Sequence, residues 1–486
     1  MRSSSMTGLL TSLIGTIVLI LNPVRAERAF PEQNAPVIKT DDALTEKARA
    51  IHERVIALDT HNDITPSNFT DERNYTQDLG NQVNLPKMVK GGLDASFFIV
   101  YVGQGPLTPE GYDNAYKQAI EKFDAIHRLT EKIAPDKIEL ALTAADVRRI
   151  NAKGKNVALI GIENGYPLGD EATAIKRVKE FYDRGARYLS LAHNGHSQLS
   201  DSNTGEREGW KWNGLSPLGK QVIAELNRVG IMVDVSHPSK ESMMQAVALS
   251  KAPIIASHSA VRALCDHSRN MDDEQLFALK KNGGVIQVVG FNTYVKTPPA
   301  TSPERTAALN KLEEEFGLPT GSLGRGGRGF GGGRGAGRGA GADQAAAGAG
   351  TGAAVSTGAA VDQPGGRGRG RGGALAGLSD DQRIEVQKRL ADIDAKFPPP
   401  PRANVKDFVD HIDYAVKKIG IDHVGISSDF DGGGGVDGWN GADETFNVTL
   451  ELVRRGYTEQ QIAMIWSGNL LRVMEEVQSV AARLQK

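Results

Sequence analysis

Residues 214–237, GLSPLGKQVIAELNRVGIMVDVSH, decide the fold. Apolar residues recur in this stretch at the spacing of one helical face, namely Leu218, Val222, Ile223, Leu226 and Val229. This spacing predicts an amphipathic helix, and the apolar run IMVDV at 231–235 predicts a short buried strand after it. His237 follows the strand directly. A helix that leads into a buried strand is the repeating unit of a parallel α/β fold.

The same unit recurs along the chain. Seven further apolar runs are bounded by turn signals, at 55–58, 95–102, 157–162, 188–192, 253–256, 284–289 and 423–427. Eight short strands that alternate with helices predict a TIM-like (β/α)8 barrel. A doubly wound open sheet is the alternative. No Gly-x-Gly-x-x-Gly turn follows an early strand, which argues against a dinucleotide-binding version of that alternative.

Composition excludes several classes of protein. The 486 residues carry a formal net charge of −2, with 40% hydrophobic and 24% charged residues, as in ordinary globular proteins. The balance of charges argues against a strongly basic nucleic-acid binder. The single cysteine, Cys265, has no partner, so a disulfide within one chain is excluded.

The first 26 residues have the pattern of a secretory signal peptide. Arg2 provides a short positive region, residues 9–21 form an uncharged apolar run, and Ala26 ends a small-residue cleavage site. We therefore expect an exported protein, periplasmic or secreted. The apolar run is shorter than the roughly 20 residues that span a membrane, so we expect no transmembrane helix in the mature form.

A glycine-rich tract interrupts the barrel pattern. Gly occupies 22 of the positions 321–373, with seven Arg and two Asp, and such a segment has too few apolar side chains to fold. We predict a disordered tract inside an insertion at 298–402, between the seventh and eighth strands. The barrel itself would then comprise residues 27–297 and 403–486. The Arg-Gly repeats also allow an RNA-binding interpretation, but we favour a solvated linker and expect no nucleic-acid partner.

Side chains that could perform chemistry stand at the strand ends. They are the segment 59–63 (DTHND), Glu163, His193, His237, His258, Asp429 and Asp431. A single histidine at a strand end is usually structural. In a (β/α)8 barrel, however, all these positions converge at the carboxyl end, where active sites form. Together they predict a metal site.

The ligand types select the metal. Imidazoles and carboxylates without a thiolate suit zinc. In an extended segment His61 and Asp63 point the same way and can reach one ion, while His237 and His258 can hold a second. Glu163 lies between these pairs in barrel order and could bridge the ions. Two ions roughly 3.5–4 Å apart can hold a hydroxide that is nucleophilic at neutral pH, which predicts hydrolysis of a polarised carbonyl.

These motifs resemble the membrane dipeptidase (renal dipeptidase) family of zinc peptidases, within the amidohydrolase-like barrels. The resemblance covers nearly all of residues 50–480 apart from the glycine tract and its flanks. The motifs are DTHND at 59–63, GIENG at 161–165, YLSLAHN at 188–194, the opening stretch at 214–237, SHSAVRALCDHSRNM at 257–271, DHVGISSDFDG at 422–432 and GNLLRV at 468–473.

The resemblance implies two Zn²⁺ per chain and a role for each site residue. His61 and Asp63 would bind one zinc, His237 and His258 the other, and Glu163 would bridge them. His193 would contact the substrate and stabilise the oxyanion. Arg269 and Tyr294 would bind the substrate carboxylate. Asp429 would transfer the proton. Homodimers are common in similar proteins, and the sequence leaves the oligomeric state open.

Together with the export signal, the resemblance implies an exported binuclear zinc dipeptidase, with L-D dipeptides among its substrates. The alternative is the same metal-dependent chemistry on another amide or ester, such as an N-acyl amino acid, a dehydropeptide or a β-lactam. A third hypothesis is a non-enzymatic envelope protein that binds through its Arg-Gly tract. The substrate's side chains, the physiological metal and the role of the insertion remain open.

Overall fold

The computed structural model describes residues 42–323 and 378–486. Nine strands form one sheet: β1 (Leu58–Asp63), β2 (Ala95–Tyr101), β3 (Ile138–Leu140), β4 (Asn156–Glu163), β5 (Ala186–Ser190), β6 (Met232–Asp234), β7 (Ile255–Ser259), β8 (Val285–Val289) and β9 (Val424–Ser427). Parallel neighbours follow the order β1-β2-β4-β5-β6-β7-β8-β9, and β3 pairs with β4 outside this path. The Asp63 N–H donates to the Phe430 carbonyl at 2.9 Å, which closes the ring of eight strands. The predicted (β/α)8 barrel is confirmed.

Helices connect the strands. Before β9 they are Asp42–Arg54, Leu85–Gly91, Pro109–Arg128, Ala144–Ala152, Ala174–Asp183, Gly205–Glu208, Pro217–Val229, Lys240–Leu249, Asp273–Asn282, Asn292–Val295, Pro303–Glu315, Asp380–Lys396 and Val405–Ile419. After β9 they are Phe446–Arg454, Glu459–Ala463 and Asn469–Leu484. Short 3₁₀ helices occur at Pro66–Asn68, Tyr166–Leu168, Ile421–His423 and Ala442–Glu444, and π-helical turns at Leu129–Ile133 and Met464–Gly468. No helix in the described part of the chain is long and apolar enough to cross a membrane.

The stretch 214–237 forms the predicted helix and strand. The Ser216 hydroxyl caps the helix by accepting the Gly219 N–H, and Pro217 occupies the first turn, where its missing N–H costs nothing. Gly230 ends the helix in a left-handed conformation, with φ 95°. This turn directs the chain into β6 and places His237 just beyond the strand.

The predicted position of the first strand is wrong. We expected a strand at 55–58, but β1 begins only at Leu58 and contains the polar segment 59–63. These polar side chains are largely buried at the carboxyl end of the barrel, and the strand pairs with β2. A search for apolar runs therefore ends the strand too early. His61 and Asp63 lie within β1 rather than after it.

The two helices of the insertion pack against each other. Leu309 and Leu312 of Pro303–Glu315 form a small buried cluster with Val386 and Leu390 of Asp380–Lys396. Leu323 belongs to the same cluster, so the third residue of the predicted disordered tract is packed. The rest of that tract at 324–373, and the predicted signal peptide at 1–26, lie outside the described residues.

Candidate metal centre

Glu163, the last residue of β4, is the centre of a buried cluster at the carboxyl end of the barrel. Its Oε1 atom is 2.9 Å from His237 Nε2, 3.2 Å from His258 Nε2 and 3.7 Å from His193 Nε2. Its Oε2 atom is 3.6 Å from Nε2 of His61 on β1. One carboxylate therefore offers separate oxygens to histidines from different sides of the barrel.

The other candidate ligands form two groups around Glu163. We call His61, Asp63 and Asp429 the acidic group; they come from β1 and the loop after β9. We call His193, His237 and His258 the imidazole group; they lie at the ends of β5, β6 and β7. Ligand atoms within 4.8 Å of one another form three sets: His61, Glu163 and His258; Glu163, His193 and His237; and His61, Asp63 and Asp429. The structure brings the five predicted ligands together and places His193 and Asp429 at the same centre.

Buried ligand atoms without a hydrogen-bond partner fit a bound cation. Among the described residues, His61 Nε2 and Asp63 Oδ1 have no such partner. His237 Nε2 lies only 2.9 Å from His258 Nε2, and two imidazole nitrogens this close need a shared proton or cation. The only cysteine, Cys265, is not in these sets. Nitrogen and oxygen ligands alone suit zinc and similar metals.

The surroundings of Glu163 keep its carboxyl ionised. Burial raises its pKa, but His193 and His61, together with the close contacts of His237 and His258, hold that pKa well below its ordinary value. Burial lowers the pKa of both His237 and His258 well below that of a free imidazole. These two residues are therefore neutral at pH 7, which is the form that binds metals.

In the acidic group the pKa values are raised, whereas those of His237 and His258 are lowered. Burial raises the pKa of Asp63 to about 6 and that of Asp429 to about 8, and the Glu163 carboxylate adds to both increases. Burial lowers the pKa of His61, but the carboxylates of Glu163, Asp429 and Asp63 outweigh it and raise this pKa to about 9. The metal-free acidic group thus retains protons near neutral pH that a bound cation would displace.

A loop with unusual backbone geometry presents Asp429. Asp429 and Asp431 both adopt left-handed conformations, with φ 57° and 60°, which Asp tolerates better than most residues. The Asp431 carboxylate accepts the Gln82 N–H at 2.8 Å and so anchors the loop on its outer side. A side chain at Gly432 would collide with the carboxylates of both Asp429 and Asp63. The close approach of the loop therefore requires glycine at this position.

Arg269 is a buried cation without an ion-pair partner in the described part of the chain. Its Nη1 donates to the Ser236 carbonyl, its Nη2 donates to the His258 carbonyl at 3.1 Å, and its Nε has no partner among those residues. The guanidinium carbon lies 5.4 Å from the ring centroid of Tyr294. Burial raises the pKa of Tyr294 to about 12. A buried guanidinium with a spare N–H beside a phenol can receive an anionic group.

His193 is a neutral imidazole between two partners. Burial lowers its pKa to about 4, although Glu163 opposes this change. Its Nε2 is 3.7 Å from Glu163, and its Nδ1 is 3.4 Å from the hydroxyl of Tyr101, at the end of β2. Lys122 places its ammonium 5.4 Å from the centroid of the same Tyr101 ring. His193 can therefore donate a hydrogen bond without bringing a positive charge.

Sequence reasoning assigned no role to several buried residues near the candidate ligands. Tyr101 contacts His193, and the Tyr188 hydroxyl is 3.0 Å from His61 Nδ1. Asp234, in the middle of the apolar run IMVDV, is completely buried. A carboxylate inside an apolar strand was the available signal for Asp234. Tyr101 and Tyr188 carried no comparable signal in the sequence, because buried tyrosine is common in strands.

A parallel barrel with buried imidazoles and carboxylates at its carboxyl end defines a metal-dependent hydrolase. Residues 45–486 match the model of the membrane dipeptidase family (peptidase family M19), and the chain belongs to this family. The membership confirms the resemblance found in the sequence motifs. It also confirms a peptidase that depends on a metal and acts on small peptides.

Named relatives agree with this assignment. Dipeptidase tcpJ from Claviceps purpurea (strain 20.1) is 27% identical over 412 residues, which are 84% of this chain and 72% of that protein. Dipeptidase 3 from Rattus norvegicus is 27% identical over 450 residues, 91% of this chain and 69% of that protein. The crystal structure of the probable dipeptidase PvdM from Pseudomonas aeruginosa is similar with a TM-score of 0.67 and 31% identity, covering 91% of this chain and 100% of that one.

Proposed function

We propose that the protein is an exported binuclear zinc dipeptidase, whose substrates include dipeptides with a D-residue at the carboxyl end. The acceptance of D-residues comes from the resemblance of the sequence motifs to the membrane dipeptidase family. The observation that carries the proposal of two ions is the position of Glu163. Its Oε1 lies among the imidazole group and its Oε2 beside His61, so it could bridge two ions.

The proposed ligands divide accordingly. His61 and Asp63 would hold one zinc ion, His237 and His258 the other, and Glu163 would contact both. When bound, the ions would polarise the scissile carbonyl. They would also lower the pKa of a water molecule, so that it could ionise to a nucleophilic hydroxide.

Asp429 would move the proton. Its carboxyl lies in the acidic group, and burial together with Glu163 raises its pKa to about 8. An acid with a pKa near the working pH exchanges protons efficiently. Asp429 would take a proton on the nucleophile's side of the bond and deliver it to the departing amine nitrogen.

Arg269, Tyr294 and His193 would orient the substrate. The unpaired Nε of Arg269 and the neighbouring Tyr294 hydroxyl suit the terminal carboxylate of a dipeptide. A terminal carboxylate held by Arg269 beside the metal centre would limit good substrates to dipeptides. Neutral His193 would donate a hydrogen bond to the oxygen on which negative charge develops.

Asp429→Asn tests the proton transfer. Asn tolerates the left-handed backbone and keeps the volume of the side chain but cannot exchange the proton. We expect kcat for a dipeptide to fall by about 10²–10⁴, while metal analysis still finds both ions. Full activity would refute the role, and loss of one ion with the activity would make Asp429 a ligand instead.

Asp431→Asn is the matched control. It lies on the same loop with the same left-handed backbone, but its carboxylate accepts the Gln82 N–H rather than entering the metal centre. We expect it to lower thermal stability while leaving kcat much closer to that of the wild type. An equal loss of kcat in both variants would mean that the loop, rather than the Asp429 carboxyl, determines the rate.

Substrate class and export need separate experiments. A panel of L-L and L-D dipeptides, N-acyl amino acids, a dehydropeptide and a β-lactam, measured with zinc restored, separates the dipeptidase from the alternative hydrolase. The proposed export depends on residues 1–26 of the sequence. Cell fractionation and amino-terminal sequencing of the mature protein test it, and a cytoplasmic chain that retains Met1 would contradict it.

A further inference from the structure

A chain of hydrogen bonds leads away from His258 into the barrel. His258 Nδ1 is 2.8 Å from the Ser257 hydroxyl, and this hydroxyl is 2.9 Å from Asp234 Oδ2. The other carboxylate oxygen, Oδ1, accepts the Ser257 N–H at 2.8 Å and the Ser236 N–H at 3.2 Å. All four residues are buried. We call Asp234, Ser257 and His258 the Asp234 chain.

The chemistry of these groups fixes the direction of the bonds. An ionised carboxylate only accepts, so the single proton of the Ser257 hydroxyl points to Asp234. The hydroxyl oxygen then accepts from His258, and Nδ1 of that imidazole carries the proton. Burial raises the pKa of Asp234, but the hydrogen bonds from Ser257 oppose this change. His258 Nε2 is left with its lone pair beside Glu163.

A second chain gives His61 the same tautomer. The Tyr188 hydroxyl donates to the Thr60 carbonyl at 3.1 Å, because a carbonyl can only accept, and it lies 3.0 Å from His61 Nδ1. The hydroxyl therefore accepts the Nδ1–H of His61. The Tyr188 ring fits because the facing residue on β4 is Gly161, where a side chain would collide with the ring.

Two neighbours lack this arrangement and serve as internal comparisons. His237 Nδ1 has no hydrogen-bond partner among the described residues. Asp59 is buried like Asp234 and accepts the N–H of Ser428 at 2.8 Å and its hydroxyl at 2.5 Å. The Ser428 hydroxyl, however, lies beside the backbone carbonyl of His61, at 3.1 Å, rather than beside an imidazole nitrogen.

We propose that Asp234, acting through Ser257, and Tyr188 are positioning residues that lock His258 and His61 in the Nδ1–H tautomer and so direct both Nε2 lone pairs at the metals. The proposal rests on the proposed function in one respect, the assignment of these histidines as ligands. Partners of this kind typically change metal affinity by about 10–100-fold.

Asp234→Asn disrupts the Asp234 chain without changing its shape. Oδ1 must remain an oxygen, because it accepts two backbone N–H groups, so the new NH₂ group takes the place of Oδ2. That group donates to Ser257 and frees the hydroxyl proton for His258 Nδ1. We expect His258 to shift toward the Nε2–H tautomer and zinc affinity to fall by about 10–100-fold.

Histidine tautomers can be measured directly. In metal-free full-length protein labelled with nitrogen-15 histidine, at a pH above the pKa of about 9 of His61 so that this imidazole is neutral, the nitrogen shifts distinguish Nδ1–H from Nε2–H. His258→Gln identifies the His258 signals. Zinc affinity follows from competition with a chromophoric chelator. Tyr188→Phe, which keeps the ring, should move the His61 signals and leave those of His258 unchanged. Asp59→Asn should lower thermal stability as Asp234→Asn does without shifting the His258 tautomer.

The outcomes separate this proposal from the proposed function. If wild-type protein does not bind zinc, the proposed function fails, while the tautomer spectrum still decides whether the Asp234 chain exists. If wild-type protein binds zinc and Asp234→Asn binds it equally tightly with His258 still in the Nδ1–H form, the proposal is overturned. Should Asp234→Asn not fold, Ser257→Ala removes the accepting hydroxyl and is judged by the same two measurements.

Discussion

The acidic group and the imidazole group hold candidate ligands for the same centre in opposite electrostatic ways. Burial and neighbouring carboxylates raise the pKa values of the acidic group, to about 6 for Asp63, 8 for Asp429 and 9 for His61. In the imidazole group burial lowers the pKa values of the histidines. One group must therefore release protons when a cation binds, whereas the other is already in its binding form.

This difference assigns separate tasks to the two groups. In the imidazole group, His237 and His258 are already neutral near pH 7 and would bind a cation without losing a proton. The acidic group provides negative charge and an exchangeable proton, because Asp429 belongs to it. Glu163 is the residue that joins them, since its two oxygens lie toward different groups. The comparison can be tested by removing the Glu163 carboxylate, by titrating the acidic group, and by removing the Tyr294 hydroxyl, which lies outside both groups.

Removing the Glu163 carboxylate should have the largest effect on metal binding and activity. In Glu163→Gln the new amide cannot supply two anionic oxygens, so we expect loss of both ions and a fall in kcat/KM on the order of a thousandfold or more. Metal analysis and dipeptide hydrolysis measure this result, and circular dichroism checks that the barrel remains folded. Retention of both ions in a folded variant would show that the two groups bind metals independently of Glu163.

The pH dependence of stability between about pH 7 and pH 9 should report on the acidic group and not on the imidazole group. Asp429 and His61 have pKa values in the folded metal-free chain above those of the unfolded chain, so the folded form binds more protons. Stability from this source is lost as pH rises through about 8 and 9. Between about pH 7 and pH 9 we therefore expect the Tm of the metal-free protein to fall. Over the same range the increase in Tm caused by zinc should grow, by about 1–2 °C for each tenfold gain in affinity.

Asp429→Asn provides the control for this titration. It removes one of the two raised pKa values, so its metal-free Tm should fall less steeply over the same pH range. A metal-free Tm that rises with pH, or a zinc increment that shrinks, would contradict the assignment of raised pKa values to the acidic group.

The smallest effect should come from Tyr294, which belongs to neither group. Tyr294→Phe keeps the ring stacked on Phe291, at a centroid distance of 4.1 Å, and removes only the hydroxyl. We expect KM for dipeptides to rise roughly fivefold, equivalent to about 1 kcal/mol, with little change in kcat. Dipeptide amides lack the terminal carboxylate, and for them the variant and the wild type should have equal KM. An equal loss for both substrates would remove Tyr294 from the carboxylate site.

The sequence identified the barrel and predicted that the candidate ligands lie together, because strand ends converge in this fold whatever the details of packing. It could not identify which side chains meet below the ligands. Asp234 and Ser257 come from neighbouring strands, and their bond to each other depends on strand register, which apolar runs do not specify. The same limitation explains the error at β1, where polar residues extend the strand to Asp63.

The insertion has a consequence for how the barrel is assembled. Its two helices are joined at their base by a buried Arg305, which donates to Asp394 at 2.7 Å, and by paired hydrogen bonds between Arg389 and Glu315. These contacts hold the two helices together on either side of the segment between them. Loop closure costs only about 0.6 kcal/mol for each doubling of loop length. A change in the length of the segment 324–377 should therefore have little effect on the free energy of closing the loop.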